Sequence, residues 1–513
     1  MIVAVPSSLT RTAPPLQPSA LADPGLDPAD WEAYRRLLHD AVDIAVDHLA
    51  GIADGPVWQA MRPEDRAALR RPLPTAGTDP AALVEEIRTA VMPHAVGNPH
   101  PRFFGWVHGG GLAGGLVADL LASAMNANLG GRDHAPVEIE RTVVDWFRSL
   151  FGLPDGAGGL LVSGTSMATV IALSAARTRL GGARVRQEGL AALGGPVAIY
   201  ASSEVHGSLK KASELLGLGS AAVRRVPVDA AFRIDLGALR ALMDADAAAG
   251  VRPLAVVGSA GTVNTGAIDD LDGLADVARS AGCWFHVDGA IGAVGMMDPT
   301  FAPRLKGLER ADSIAFDAHK WLQMQYDCGC VLVHDARLLT DTFGERQAYL
   351  AGAARGLAAG DPWFCELGPE LSRGFRALRM WFALREHGTE AFGRMMARTR
   401  RLAAHLAERV DARADLERLA PVELTIVCLR WVHPGLDEAA LDRVNQAIVE
   451  DLHETGIAAP STTRLAGRLA IRVSISNHRT RQADIDALVE AIVGLGRLRG
   501  DQERIRAAAA EAG

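Results

Sequence analysis

From residue 158 onward the chain alternates short apolar runs with longer amphipathic ones, and this rhythm limits its fold more than any other feature. "GLLVSG" is followed by "TSMATVIALSAARTRL", "VAIYAS" by "HGSLKKASELLG" and "LAVVGSAG" by "DDLDGLADVARSAG". "WFHVDGA", "SIAFDA" and "CVLVH" complete the set. Such alternation predicts an α/β fold with an open, mostly parallel sheet covered by helices. Ligands of these sheets gather outside the carboxyl ends of the strands. The polar residues that close each apolar run are therefore the first candidates for chemistry.

Five such closures stand out. "GLLV" runs into Ser163, Gly164, Thr165 and Ser166 at the start of a helix. Exposed N–H groups and hydroxyls there suit an anion, although Ser and Thr also serve as plain N-caps. Asp288 closes "WFHV" and is followed by Gly289 and the small Ala290; its carboxylate can meet a cation or cap a loop. His206 follows "VAIYASSEV" and Thr262 follows "AVVGSAG"; a lone histidine in that position is often structural. His319 and Lys320 close "SIAFDA". An amine between two apolar strands is costly unless it is paired, neutral or covalently used.

One cofactor accounts for the whole set. Pyridoxal 5'-phosphate needs an amine for its aldehyde, an anion cradle, a carboxylate at its ring nitrogen and flat contacts on its ring faces. Lys320 supplies the Schiff base, Asp288 the pyridinium partner and residues 164–166 the phosphate site. His206 and Ala290 take the two faces. Asp288 precedes Lys320 by one strand–helix–strand step, so both can point into one cleft.

Composition narrows the alternatives. A chain of 513 residues with 49% hydrophobic and 22% charged residues is globular and holds more than one domain. A net charge of -8 argues against a nucleic-acid footprint. Five cysteines, Cys283, Cys328, Cys330, Cys365 and Cys428, make neither a disulfide framework nor a zinc pattern. His94, His100 and His108 fit no helix face, so no metal is expected. No run of about 18 apolar residues is present, so no membrane span is expected, and a reducing cytoplasm is the default compartment. The opening is Pro-rich, without a basic region or an apolar core, and reads as an arm and not a signal peptide. The arginine-rich "RMMARTRRLAAHLAERV" reads as a solvated helix face.

At this point the text resembles a known family. "HPRFFGW" (100–106), "EIERTVVDW" (138–146), "SGTSMATVIALSAAR" (163–177), "VHGSLKKA" (205–212), "GTVNTGAIDDL" (261–271), "FHVDGAIGA" (285–293), "DAHKW" (317–321), "SRGFRALRMW" (372–381) and "ISNHRT" (475–480) are similar to the group II pyridoxal-phosphate-dependent amino-acid decarboxylases, in particular the aromatic L-amino-acid branch. The resemblance covers roughly residues 30 to 490. It implies a fold-type-I enzyme, with a large, mostly parallel, seven-stranded type of sheet domain and a smaller α+β C-terminal domain. It implies a homodimer with shared active sites, N-terminal helices wrapped over the partner, and decarboxylation of an amino-acid substrate. It places Thr165, Ser166 and His319 near the phosphate and Thr262 near the ring. The division expected is an arm at 1–27, an N-terminal helical dimerisation segment at 28–105, a cofactor-binding domain at 106–385, a small domain at 386–500 and a tail at 501–513.

The resemblance also shows departures. The family's lid carries a tyrosine that protonates the product carbon; here "AGAARGLAAGDPWFCELGPEL" has none, and Trp363 and Phe364 stand near its place. A phenylalanine there marks aldehyde synthases, which couple decarboxylation to oxidative deamination. That outcome, or transamination, is the runner-up to plain decarboxylation, and Tyr326 or Tyr349 is the substitute donor to consider. Phe103, Phe104, Trp106 and Phe364 are the expected substrate-pocket residues, which favours an aromatic amino acid, although three aromatics in an entry strand also pack. His108 stands where eukaryotic aromatic relatives have proline. Arg132 is expected to pair with Asp133, and Arg472 is a candidate to approach the cleft. A regulator that kept the fold, or a lyase for a thiol or sulfinate substrate, are the rival classes.

Overall fold

Strands that are apolar on both faces must be covered on both sides, and the central strands of this protein are of that kind. The computed structural model describes residues 25–345 and 352–512. Its strands in chain order are β1 (Phe103–Phe104), β2 (Gly158–Val162), β3 (Val197–Ser202), β4 (Val223–Val226), β5 (Arg252–Ser259), β6 (Trp284–Asp288), β7 (Ser313–Asp317), β8 (Gly329–Val333), β9 (Leu416–Arg418), β10 (Ile426–Trp431), β11 (Ala459–Leu465) and β12 (Arg468–Ser474). β3, β7 and β8 are buried at every residue.

The large sheet has seven strands in the order β2-β8-β7-β6-β5-β3-β4. β4, β3, β5, β6 and β7 are parallel, while β8 runs antiparallel to both β7 and β2. Six strands therefore end on the same rim. The helix Thr165–Gly181 lies over the sheet, buried along small residues such as Ala168, Ala172, Ala175 and Ala176; short side chains let its backbone approach closely. The α/β architecture with one mostly parallel seven-stranded sheet agrees with the sequence reading.

A second sheet has the order β1-β11-β12-β10-β9, antiparallel except for β1 beside β11. Its own core includes Val427, Leu429, Ile448, Leu452, Ile471, Val473 and Leu488. Phe103 and Phe104, read as the end of an N-terminal segment, are an edge strand of this C-terminal sheet. The helix Ala377–Asp411 joins the two cores, with Met380 and Leu384 in one and Leu402 and Leu406 in the other. It breaks at Gly388, whose φ of 72° suits a residue without Cβ.

β4, β9 and β11 had no clear signature in the sequence. β4 is "VRRV" and β11 is "APSTTRL", too polar to stand out as apolar runs. The edge strand β2 is completed by a buried ion pair. The Glu140 carboxylate accepts from Leu161 N–H, while Arg373 donates to Leu161 C=O, Leu129 C=O and Glu140. Both side chains are at most 1% exposed. Removing one partner strands a buried charge and the backbone of β2, so Glu140→Leu is expected to cost ~3–5 kcal/mol. A clear drop in the denaturant midpoint checks this, and an unchanged midpoint refutes it.

Candidate active site

The six co-directional strand ends bring the chain's polar closures together. β6 delivers Asp288, which accepts from Ala290 N–H at 3.2 Å. β5 leads into Thr262, whose hydroxyl is engaged by Thr265 at 3.0 Å and by Ala267 N–H at 3.1 Å. The chain after β3 delivers His206. β7 ends in Asp317, and Lys320 lies one turn beyond. Lys320, Asp288, His206, Thr262, Ala290, Trp106 and Arg472 all line one cavity of about 280 Å³.

The amine of Lys320 is paired. Its Nζ lies 2.8 Å from Asp317 Oδ2. Asp317 also accepts from Thr165 N–H at 2.7 Å and from the Thr165 hydroxyl. Burial pushes the Asp317 carboxyl upward, but Lys320, His319 and the Thr165 bond outweigh it and hold it below the usual carboxylate range. The carboxylate thus joins the lysine to the start of the helix Thr165–Gly181, which has no side-chain cap of its own. Ser166 is exposed beside it. A Cβ on Gly164 would lie 3.3 Å from both Asp317 Oδ1 and His319 Cε1, so this cradle accepts no larger residue without adjustment.

The histidines divide by environment. His206 Nδ1 meets Ser208 Oγ at 2.8 Å and accepts from Ser208 N–H at 3.2 Å. An accepting Nδ1 leaves the neutral ring's proton on Nε2. Burial keeps His206 below the usual histidine range, against the pull of Asp288. His319 stands at the helix start, with its Nε2 3.8 Å from Asp317 Oδ2, its Nδ1 accepting from Cys328 N–H and its ring 4.3 Å from that of Tyr326. His286 is buried and pushed down to about 4 by desolvation, so it is a neutral core residue hydrogen-bonded to Ser313.

Of the residues expected to contact substrate, Trp106 alone lines the cavity. Phe103 packs with Val57 and Ala459, and Phe104 lies in the core of the small sheet. The sequence weighed that packing role, and burial of both rings at an edge strand decides it. Phe364 is also displaced from the expected pocket. It lies 4.9 Å beneath the Arg373 guanidinium and lines a separate cavity with Arg141 and Leu367. Arg132 stacks on Trp363 at 4.4 Å and makes no ion pair with Asp133 among the described residues. The Tyr326 hydroxyl bonds His108 Nδ1 at 2.7 Å and lies outside the cavity lining; Tyr349 lies outside the described residues.

Three contributors escaped the sequence reading. Asp317 stands in the sequence only inside a longer motif, although a carboxylate three residues before a strand-end lysine is a recognisable ion-pair signal. Asn264 and Ser461 reach the lining from separate parts of the chain, and no local pattern marks them. Arg472, buried and pushed down to about 10 by desolvation, does reach the cavity. It donates to Val263, Asn264 and Trp106 carbonyls.

An amine, a carboxylate, an imidazole and a small methyl surface around one cavity, with a helix start tied to that amine through Asp317, match the needs of pyridoxal phosphate. The residues fit that group. Among the described residues no cluster suited to a metal ion occurs.

Comparison with known proteins bears on the same chemistry. Residues 63–432 match the pyridoxal-dependent decarboxylase conserved domain. The chain is 32% identical over 470 residues to an aromatic-L-amino-acid decarboxylase of Bacillus atrophaeus, covering 90% of this chain and 95% of that one. It is 29% identical over 488 residues to tryptophan decarboxylase 1 of Oryza sativa, covering 89% and 93%. The crystal structure of an Oryza sativa enzyme with pyridoxal phosphate and tryptamine superposes with a TM-score of 0.84 at 27% identity, covering 92% of this chain and 99% of that one.

The Asp317 pairing gives a pH dependence. A carboxyl whose folded pKa is depressed stabilises the fold above its unfolded value, near about 4, and loses that contribution as pH falls through the folded value. In cofactor-free protein, Asp317→Asn is expected to flatten the acid limb of the stability curve below about pH 4. Parallel acid limbs for variant and wild type would remove the pairing from the account.

Proposed function

Because this chain belongs to the pyridoxal-dependent decarboxylase family, we propose that the amino acid it decarboxylates is aromatic and that the residues around Lys320 carry the reaction. The enzyme is a pyridoxal-phosphate-dependent carboxy-lyase that acts on an L-amino acid. Its likeness to named decarboxylases favours release of an amine over oxidative deamination. The aromatic assignment is supported by the names of those relatives and by Trp106, a half-exposed indole on the cavity wall.

The single observation that carries the reading is the joint presence of Lys320, Asp288 and His206 around one cavity. Pyridoxal phosphate, when bound, supplies a protonated ring that accepts the electron pair left by departing carbon dioxide. Lys320 Nζ is the group that would hold the aldehyde. Asp288 would keep a proton on the ring nitrogen, its carboxylate being the acid at the end of β6 in this cavity. His206 and Ala290 would bound the ring's faces, and Ser166 would receive the phosphate at the helix start, where the dipole favours an anion, beside Thr165, whose N–H and hydroxyl donate to Asp317.

Release of the amine would need a proton at the α-carbon. Burial holds His206 neutral with its one ring proton on Nε2, so it would serve as a hydrogen-bond donor beside that carbon; giving up a net proton requires the imidazolium, which burial disfavours. Arg472 already donates to three carbonyls and acts as a positioning residue for the loops that bear Trp106 and Val263.

A second copy of the chain completes the proposal. Trp31, Tyr34, Leu38, Val42 and Val46 recur at helical spacing along Trp31–Ala50 and are exposed, as are Leu116, Leu120, Leu121 and Met125 on Ala113–Met125. Apolar stripes of this extent mark an interface, and a two-fold dimer covers both at once. A cytoplasmic site of action is consistent with five free cysteines. Among the described residues no helix is long and apolar enough to cross a membrane.

L-Tryptophan, L-tyrosine and L-phenylalanine are the substrates to assay with the holoenzyme. Equal amounts of amine and carbon dioxide are expected, without oxygen uptake; stoichiometric oxygen use with aldehyde product would overturn plain decarboxylation. Borohydride treatment is expected to leave the cofactor's mass on the peptide containing Lys320 and to fail in Lys320→Ala. Trp106→Ala should raise KM for aromatic substrates roughly fivefold to tenfold, the equivalent of the ~1–1.5 kcal/mol of an aromatic contact; an unchanged KM removes Trp106 from substrate recognition. Leu38→Glu with Val42→Glu should convert a sedimenting dimer to monomer.

A further inference from the structure

A second cavity, of about 470 Å³, lies between the helix Ala377–Asp411 and the loop after β12. Its floor is apolar, formed by Leu112, Phe392 and Met395, and its walls carry Arg394, Arg398, Arg401, His387 and His478 with no carboxylate in the lining. The arginines of this helix are unequal. Arg394 pairs with Glu390, Arg400 with Asp298, and Arg409 with Asp486 and Glu490. Arg398 and Arg401 have no carboxylate partner among the described residues, and both face this cavity. The tract read in the sequence as a solvated face is therefore divided between paired cations and two unpaired ones at a concavity.

The loop side reinforces the charge. Arg398 donates to the His478 carbonyl. Burial, followed by Arg479, Arg398 and His387, pushes the His478 ring down to about 3, so it stays neutral. Arg394, Arg398 and Arg401 are exposed at the edge of the cavity, where an anion can bridge guanidinium groups while its apolar part covers the floor. Arginine's planar fork suits carboxylate and phosphate oxygens in particular. The volume falls in the range of small-molecule sites.

The cavity also touches the chemistry of the lysine loop. His478 Nδ1 lies 3.2 Å from Oε1 of the fully buried Gln323. Gln323 Nε2 donates to Trp321 C=O and Ser476 C=O, and its backbone N–H donates to Lys320 C=O at 3.1 Å.

We propose that this cavity binds a small organic anion, a phosphate or carboxylate on an apolar body, with Arg398 and Arg401 holding the charge and Phe392 and Met395 the apolar part. This site is separate from the one around Lys320 and does not depend on the substrate assigned there.

Phenyl phosphate titrated calorimetrically into full-length holoenzyme at low salt tests it, since the bound cofactor already fills its own phosphate site. Saturable binding is expected, tighter than that of inorganic phosphate and weakened by added salt. Arg401→Glu and, separately, Arg398→Gln should each weaken phenyl phosphate binding about tenfold or more. Among the described residues the Arg401 side chain makes no hydrogen bond or ion pair, and Arg401→Glu should leave kcat/KM for the amino-acid substrate unchanged, which separates this result from any failure of the decarboxylase reading. Wild-type protein without saturable binding up to about 10 mM, or both variants binding as tightly as wild type, would overturn the site.

Discussion

A lysine amine leaves water at a tolerable cost only beside an opposite charge, and the charge supplied here is Asp317. That carboxylate touches three parts of the chain at once: the end of β7, the loop bearing Lys320 and the first residue of the helix after β2. The pairing fixes where the amine sits before any cofactor arrives. It also ties β7 to the helix start across the intervening antiparallel strand β8. The site therefore follows from satisfying one buried charge inside an apolar sheet.

The small sheet contributes by shaping the wall opposite that lysine. Trp106 adopts a φ of 46°, a conformation that a bulky residue holds only with tertiary support. Support comes from two residues of the C-terminal sheet: Ser461 Oγ accepts from Trp106 N–H, and Arg472 donates to its carbonyl. Gln323 and Arg479 fasten the following residues, Gly110 and Gly111, in the same manner. Elements more than 300 residues apart thus meet around one indole, and the cavity wall is a product of both domains.

The strands with a strong apolar signature could be read directly, because a strand buried on both faces has few polar residues to disguise it. β2, β3, β5, β6, β7 and β8 were all visible as apolar runs. β4, β9 and β11 were not, since exposed or edge positions tolerate Arg, Glu and Thr. Lys320, Asp288 and His206 could be selected because each interrupts or ends an apolar run. Phe103, Phe104 and Phe364 looked like pocket residues for a weaker reason, since an aromatic ring is as much at home in a core as in a cleft.

The sequence by itself determined the sheet, its mainly parallel sense and the identity of the ionisable groups at its rim, because periodicity and the cost of burying charge are local properties that a string of residues displays. Only the tertiary structure decided which aromatic faces the cavity, which carboxylate holds the lysine and which arginines of one helix are left without partners. Those outcomes depend on contacts between residues far apart in the chain, and no local pattern encodes which distant groups will meet.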